Sequence, residues 1–428
     1  MSRTDKDAPV SRRSSQPSRA KGRAKSADST GGPVEKQTPT NRVYLLFNHP
    51  LSTYYLLMGA TLLLLVLGLI MVLSASSIES LKFSGSSYTL FVRQLMFAVG
   101  GVIMMFIVAR RTSIQFWRGI SVGLLGFAVI TLVVVLVIGV SVAGQKNWID
   151  LFGPFRFQPS EFAKLALVVW GADQLSRNLR ERYSWKTLLV PVLPVALVMM
   201  GLIILEGDFG NTFLLGVIFL GMMFAAGAPM RLFVYAACAA AVGMFVATLA
   251  APYRMERFTA WLDPNADPLG AAYQVNQGQL ALGSGGFLGL GVGASREKWG
   301  SLPEAHTDFI FSVIGEELGL VGTITIILLF AILAFAIFRL SRTSNDRFVR
   351  FAAAGVGCWI VGQASLNIGA VLGLLPITGV PLPLVSYGGS SLIPTLAAIG
   401  MLLACARNEP AARTALRRRS TADSLRRR

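Results

Sequence analysis

The segment Ser301-Leu302-Pro303-Glu304-Ala305-His306-Thr307-Asp308-Phe309-Ile310-Phe311 gathers two carboxylates and one of the chain's two histidines at the edge of an apolar run. Such a set can move a proton, with a carboxylate as general base and an imidazole to orient it. Ionisable groups beside a membrane span are costly to desolvate, so a functional site is the default reading. The bland alternative for Asp308 is a helix N-terminal carboxylate favoured by the helix dipole. Glu304 and His306 nearby make a pure cap the poorer account.

Other polar groups interrupt apolar surroundings. In Gln158-Pro159-Ser160-Glu161-Phe162-Ala163-Lys164, Ser160 suits an N-cap, and Glu161 and Lys164 share a helix face. That pattern fits either an interfacial ion pair or a cation aimed into a cavity. Arg93 and Gln94 break a span near its end, where an arginine either snorkels to headgroups or binds an anionic one. Glu206-Gly207-Asp208-Phe209-Gly210-Asn211 reads as a tight acidic turn, with a divalent-metal role as the weaker option. Arg254 and Arg257 face the same choice between phosphate and lipid headgroups. The glycines from Gly278 to Gly293 lack the strand-to-helix context of a dinucleotide fingerprint, so they point to close backbone packing or a re-entrant segment. Asn367 is a lone polar residue late in an apolar run, ahead of Pro381-Leu382-Pro383 and Ser386-Tyr387-Gly388-Gly389-Ser390-Ser391.

The elements that must position these groups are membrane helices. In a 428-residue chain that is 53% hydrophobic and only 14% charged, apolar runs of about 20 residues match the thickness of a hydrocarbon core. The runs do not alternate as barrel strands do, which leaves an all-α polytopic membrane fold. Ten spans are predicted, near 53–74, 88–109, 119–140, 161–175, 187–205, 211–228, 231–250, 311–339, 350–375 and 388–406. With both termini cytoplasmic, the inner connections collect Arg110, Arg111 and Arg118, then Arg177, Arg180, Arg182 and Lys186, then Arg231, then Arg339, Arg342, Arg347 and Arg350, as the positive-inside rule requires. One long outer loop, about 251–310, results, and a loop of that length is usually functional. If the eighth helix continues upward from Glu316, Asp308 lies eight residues, about 12 Å, above it at the outer boundary.

The net charge of +17 sits mainly in the tails, 1–41 and 407–428. Basic tails bordering spans mark the cytoplasmic side and meet anionic lipid, and no aromatic-basic module accompanies them, so nucleic acid is not a partner. Residues 1–41 hold almost no large apolar groups and read as a disordered tail, not as a cleavable signal peptide. Residues 42–406 form the membrane domain. Cys238, Cys358 and Cys405 lie in or beside apolar segments and read as packing residues.

The motifs at 158–164, 302–311 and 381–390, in that order, resemble the SEDS family (shape, elongation, division, sporulation), and the likeness runs from the first span to the last. The Glu-Ala-His-Thr-Asp wording is similar to the division members more than to the elongation members. The chain departs from the family at Gly207, at Gly300 and at Ile377-Thr378. The resemblance implies a peptidoglycan glycosyltransferase that polymerises lipid II into undecaprenyl-pyrophosphate-linked glycan at the outer face of the cytoplasmic membrane, at the division septum. A class B penicillin-binding protein and other division proteins would be its partners. The family's loop aspartate corresponds to Asp308, and its cavity arginine, glutamate and lysine to Arg93, Glu161 and Lys164.

Joining a sugar hydroxyl to an anomeric carbon that bears a lipid pyrophosphate needs a base and cationic stabilisation of the leaving group. Asp308 is the expected base. Arg93 and Lys164 are expected on the pyrophosphate, with Arg254 and Arg257 behind them, and Mg²⁺ or Mn²⁺ could share that task. Glu304, His306 and Ser386 complete the candidate substrate contacts. A lipid II flippase, an elongation-type polymerase and a recruiting scaffold are the rival readings.

Overall fold

The computed structural model describes residues 51–142, 145–152, 155–178, 185–249 and 272–410, together with isolated positions 259, 261, 263, 412 and 414. The N-terminal tail, most of the C-terminal tail, Arg254 and Arg257 lie outside the described residues. The apolar runs form helices α1 (Ser52–Ser84), α2 (Thr89–Arg111), α3 (Ile114–Ile138), α4 (Pro159–Asn178), α5 (Trp185–Leu205), α6 (Phe209–Ala225) and α7 (Met230–Leu249), then α9 (Ile310–Thr343), α10 (Arg347–Val371) and α11 (Gly389–Asn408). These ten coincide with the ten expected spans. A short helix, α8 (Tyr273–Ser284), is added between α7 and α9.

Among the described residues, seven of the helices are long and apolar enough to cross a membrane by themselves, and α6 and the Met230–Gly243 part of α7 are shorter apolar helices. Helix α4 falls outside both groups because it is an inner helix. Its apolar residues from Leu165 to Val169 are buried. Its Asp173 carboxylate takes Arg118 Nε at 2.8 Å and Arg177 Nη2 at 2.8 Å. Around it α3 packs on α4, and α10 packs on α4, α6 and α9, while α1 packs on α9 and α2 on α11. Exposed Leu63, Ile103, Val122, Val198, Phe245 and Leu328 leave an apolar exterior suited to lipid.

The connection between α3 and α4 folds as a three-stranded antiparallel sheet: β1 (Val140–Val142), β2 (Gln145–Phe152) and β3 (Phe155–Phe157). Lys146 Nζ ties this sheet to the end of α3 by donating to the Leu136 and Val137 carbonyls at 2.8 and 3.0 Å. The eighth expected span, 311–339, forms as α9, and the helix does not continue up to Asp308. Helix α9 starts at Ile310, leaving Asp308 just outside it, and breaks at Gly319, where φ is 66° and ψ is −161°.

The break is filled by the glycine-rich segment 285–293. Leu320 and Val321 donate to the Gly286 and Phe287 carbonyls, and Leu290 and Gly291 donate to the Glu316 and Glu317 carbonyls. Irregular backbone inside a membrane protein survives only when its polar groups are paired in this way. A side chain on Gly289 (φ 79°) would run into the Glu317 carbonyl, so glycine is required for the approach.

Glu316 and Glu317, just before the break, are enclosed by this segment. Both are fully buried. Glu316 accepts from Ser295 Oγ (2.5 Å) and Arg296 N (2.7 Å). Glu317 accepts from Lys298 Nζ (2.9 Å), Ser74 Oγ (2.6 Å), Gly293 N (3.0 Å) and Ser295 N (3.3 Å). Removing one member of a buried ion pair strands the other, at about 3–5 kcal/mol. Glu317→Ala is expected to lower stability by about that amount in thermal unfolding. Adding Lys298→Met should not restore it, because the Gly293 and Ser295 amides stay unpaired.

Candidate active site

Helix α4 begins at Pro159, a position that suits proline because its missing N–H is one a helix start does not need. Ser160 is thus inside the first turn rather than the cap, and its buried hydroxyl lies 3.3 Å from Asn211 Nδ2. One turn on, Lys164 is completely enclosed. Its ammonium donates to Glu161 Oε1 (2.7 Å), Asn211 Oδ1 (3.0 Å) and Gln363 Oε1 (3.1 Å), and it stands 5.3 Å from the Trp359 ring centroid. Of the two sequence readings, the ion pair is what forms, and it is internal rather than interfacial. Lys164 has no open side in this conformation, so it holds helices together where a pyrophosphate contact was expected.

Asp208 extends the polar centre. It is the N-cap of α6, with Oδ1 accepting from Asn211 N at 3.0 Å. Its Oδ2 accepts from the side-chain amides of Asn211 (2.8 Å), Asn147 (3.2 Å) and Gln158 (3.2 Å). An oxygen pair already facing four N–H donors does not suit a cation. Among the described residues no three His, Cys, Asp or Glu side chains gather, so the acidic turn does not fit a resident divalent metal. Gly210 in the same turn lets the later loop approach, since a Cβ there would meet Val380 and stand 2.6 Å from the Thr378 carbonyl.

Above this centre two loops meet. The stretch before α9 offers three successive carbonyls, and each is taken. His306 O accepts from Tyr387 N (3.0 Å), Thr307 O from Ser386 Oγ (2.6 Å) and Asp308 O from Asn367 Nδ2 (2.8 Å). Gln94 holds the far end of the same loop, its Nε2 donating to Ser386 O and its Oε1 accepting from Gly388 N. Among the described residues two non-glycine residues adopt positive φ, Glu304 at 53° and Leu384 at 65°. One falls in each of the two loops, and strain of this kind collects at functional sites.

The expected site residues divide accordingly. Asp308 is half-buried, and its Oδ2 is 3.9 Å from where a Cβ on Gly379 would stand. Arg93 lies against the Tyr387 phenol, which burial pushes up in pKa and the Arg93 guanidinium pulls back. His306 is buried, with Nδ1 3.0 Å from Glu79 Oε2 and its ring 5.4 Å from that of Tyr387. It therefore sits between Glu79 of α1 and the Tyr387 ring. Glu304 is exposed and accepts from Thr307 Oγ1 at 2.5 Å. Ser386, expected as a substrate contact, is buried and spends its hydroxyl between Thr307 O and Leu382 N. Sequence reasoning missed Gln363, Asn211 and Glu79 as parts of this network. The available signal was polar side chains recurring at helical spacing inside apolar runs, such as Gln363 and Asn367.

Taken together, the ten helices and this polar centre define a polytopic membrane protein with a site at one end of its bundle. The chain belongs to the FtsW/RodA/SpoVE family of cell cycle proteins, whose signature matches residues 55–410. It is 40% identical over 381 residues, 89% of this chain and 72% of the relative, to the Mycobacterium tuberculosis protein named "Probable peptidoglycan glycosyltransferase FtsW". It is also 40% identical to stage V sporulation protein E of Bacillus subtilis, covering 81% of this chain and 95% of that one. Among solved structures it matches Thermus thermophilus RodA with a TM-score of 0.61 and 28% identity, over 83% of this chain and 97% of that one. A chain of a peptidoglycan synthase complex matches with a TM-score of 0.66 and 29% identity, over 82% and 97%.

Glu206 supplies a pH test of this region. Its side chain is buried with no partner for either carboxylate oxygen. Burial, reinforced by the Asp208 charge, pushes its pKa up to about 8. A carboxyl whose folded pKa is raised binds its proton more tightly in the native state, so its contribution is full at acid pH and is lost as pH rises through the folded value. Thermal unfolding of the wild type should therefore lose ground to Glu206→Gln steadily between about pH 5 and about pH 9.

Proposed function

We propose that this chain is a peptidoglycan glycosyltransferase that polymerises lipid II, with Asp308 as the general base. The observation that carries the reading is Asp308 itself. It is an ionisable group at the mouth of a membrane bundle, on a backbone fixed by three consecutive carbonyl bonds. The names of its relatives support the same activity.

In the reaction, the acceptor sugar hydroxyl attacks the anomeric carbon of the donor. The carbon–oxygen bond to the pyrophosphate breaks, and the pyrophosphate departs with the electron pair. The hydroxyl proton passes to the Asp308 carboxylate, and the anomeric centre inverts. A positioned base of this kind is typically worth about 10²–10⁴-fold in rate. Arg93, partly exposed beside Tyr387, is the cation placed to meet the pyrophosphate. A divalent cation bound to the pyrophosphate would share with Arg93 the charge of the leaving group.

The loops carrying Asp308 face the extracytoplasmic side, both termini are cytoplasmic, and the protein works at the division septum. Its partner is a class B penicillin-binding protein that cross-links the strands, a reading supported by the match to a chain of a synthase complex. Other division proteins assemble around the pair. Enclosure of Lys164 favours polymerisation over flipping, because a carrier needs headgroup-binding cations reachable from both ends.

The test is purified protein with labelled lipid II, scored for glycan chains and, separately, for translocation across vesicles. Polymerisation without translocation is expected, and Asp308→Asn should cut the polymerisation rate by about 10²-fold or more. Near-wild-type chain formation by folded Asp308→Asn protein would sink the base assignment.

A further inference from the structure

Asn367 projects from the last two turns of α10 and is 2% exposed. Its side-chain nitrogen donates twice, to Asp308 O at 2.8 Å and to Val380 O at 2.9 Å. Only an N–H pair can satisfy two carbonyl oxygens, so the amide orientation is fixed by its neighbours. One residue thereby fastens the backbone of Asp308 to the loop beside it. The Asp308 carboxylate lies against the same loop at Gly379, whose φ of 69° keeps the approach open.

Gln363 stands one helical turn earlier on the same face. Its Nε2 donates to Pro381 O at 2.9 Å, one carbonyl beyond that held by Asn367. Its Oε1 accepts from Lys164 Nζ and Trp359 Nε1. The two amides therefore connect the enclosed Lys164–Glu161 pair to the Pro-rich loop, and through Asn367 to Asp308. A polar side chain kept only to fill space in an apolar helix would not be expected to bridge two loops at two adjacent carbonyls.

We propose that Asn367 is the positioning residue for Asp308, with Gln363 registering the same loop on the buried Lys164–Glu161 pair. The inference rests on the reading of Asp308 as base. Misplacing a reacting group by about 1 Å can cost on the order of 10²-fold in rate. With full-length protein and lipid II, Asn367→Ala should lower kcat by about 10- to 100-fold and leave KM within about twofold.

The discriminating measurement is the pair of variants. Residues that act through one another are not additive, whereas a loss of folded protein multiplies with any other defect. In the Asp308→Asn background, Asn367→Ala should remove less than about a further twofold. A multiplicative loss would overturn the proposal. Hydrogen exchange on the Asn367→Ala protein reads the clamp without catalysis, and faster exchange at 305–309 and 378–382 is expected. Unchanged exchange there overturns the clamp itself. Wild-type turnover by Asp308→Asn alone refutes the base assignment and the catalytic half of the proposal, even where exchange shows the clamp intact.

Discussion

An ammonium group with no water around it must be surrounded by acceptors, and that requirement at Lys164 organises the bundle. The acceptors come from α4 itself, from α6 through Asn211 and from α10 through Gln363. Three helices that are separate in sequence are thereby held in one register. Asn211 passes the constraint to Asp208, which collects Asn147 from the sheet and Gln158 from the start of α4. Gln363 passes it in the other direction to the Pro-rich loop. A buried pair of this kind is weak support for stability as such, since desolvation offsets much of the attraction. What it does here is fix which atoms face which.

The site end adds a second constraint, the need to pair every backbone group that lies at membrane depth. The protein meets it by laying irregular segments against one another. The 285–293 segment fills the break in α9, and the 381–388 loop donates to the His306 and Thr307 carbonyls. Asp308 thus sits on a rigid frame although it belongs to a loop. Loops that carry chemistry are useful only when a scaffold sets their place, and here the scaffold is largely other loops. The glycines at 210, 289 and 379 mark where backbones come too close for a side chain, or, at 289 and 379, where φ is positive.

Much of this was legible in the sequence and some was not, for physical reasons. The ten long helices could be read because apolar runs of bilayer length seldom occur in a chain that folds in water. Helix α4 could be read from its alanine- and valine-rich run despite its charges. The strands at 140–157 could not, since the two outer ones are three residues long, leave almost no periodic signal and depend on pairing with β2. Asp308 could be singled out from residue type and neighbourhood. The enclosure of Lys164 and Ser386 could not be read, because spacing reveals which residues share a face, not whether that face meets water or protein. Gln363 and Asn367 are four apart in an apolar helix, which shows a shared polar face but not that loop carbonyls are what it meets.

The break in α9 also sets an order of assembly. The backbone groups of Gly286, Phe287, Leu290 and Gly291 find their partners in residues 316–321, which are made later. At ribosomal speeds of about 5–20 residues per second, the glycine-rich segment waits a few seconds before its partners exist. During that interval it cannot rest in hydrocarbon, because its amides and carbonyls have nothing to bond. It must stay in water or at the headgroup layer until the first turns of α9 are in place. The last step in closing this part of the protein is therefore the docking of a loop into the broken helix, not the formation of the helix alone.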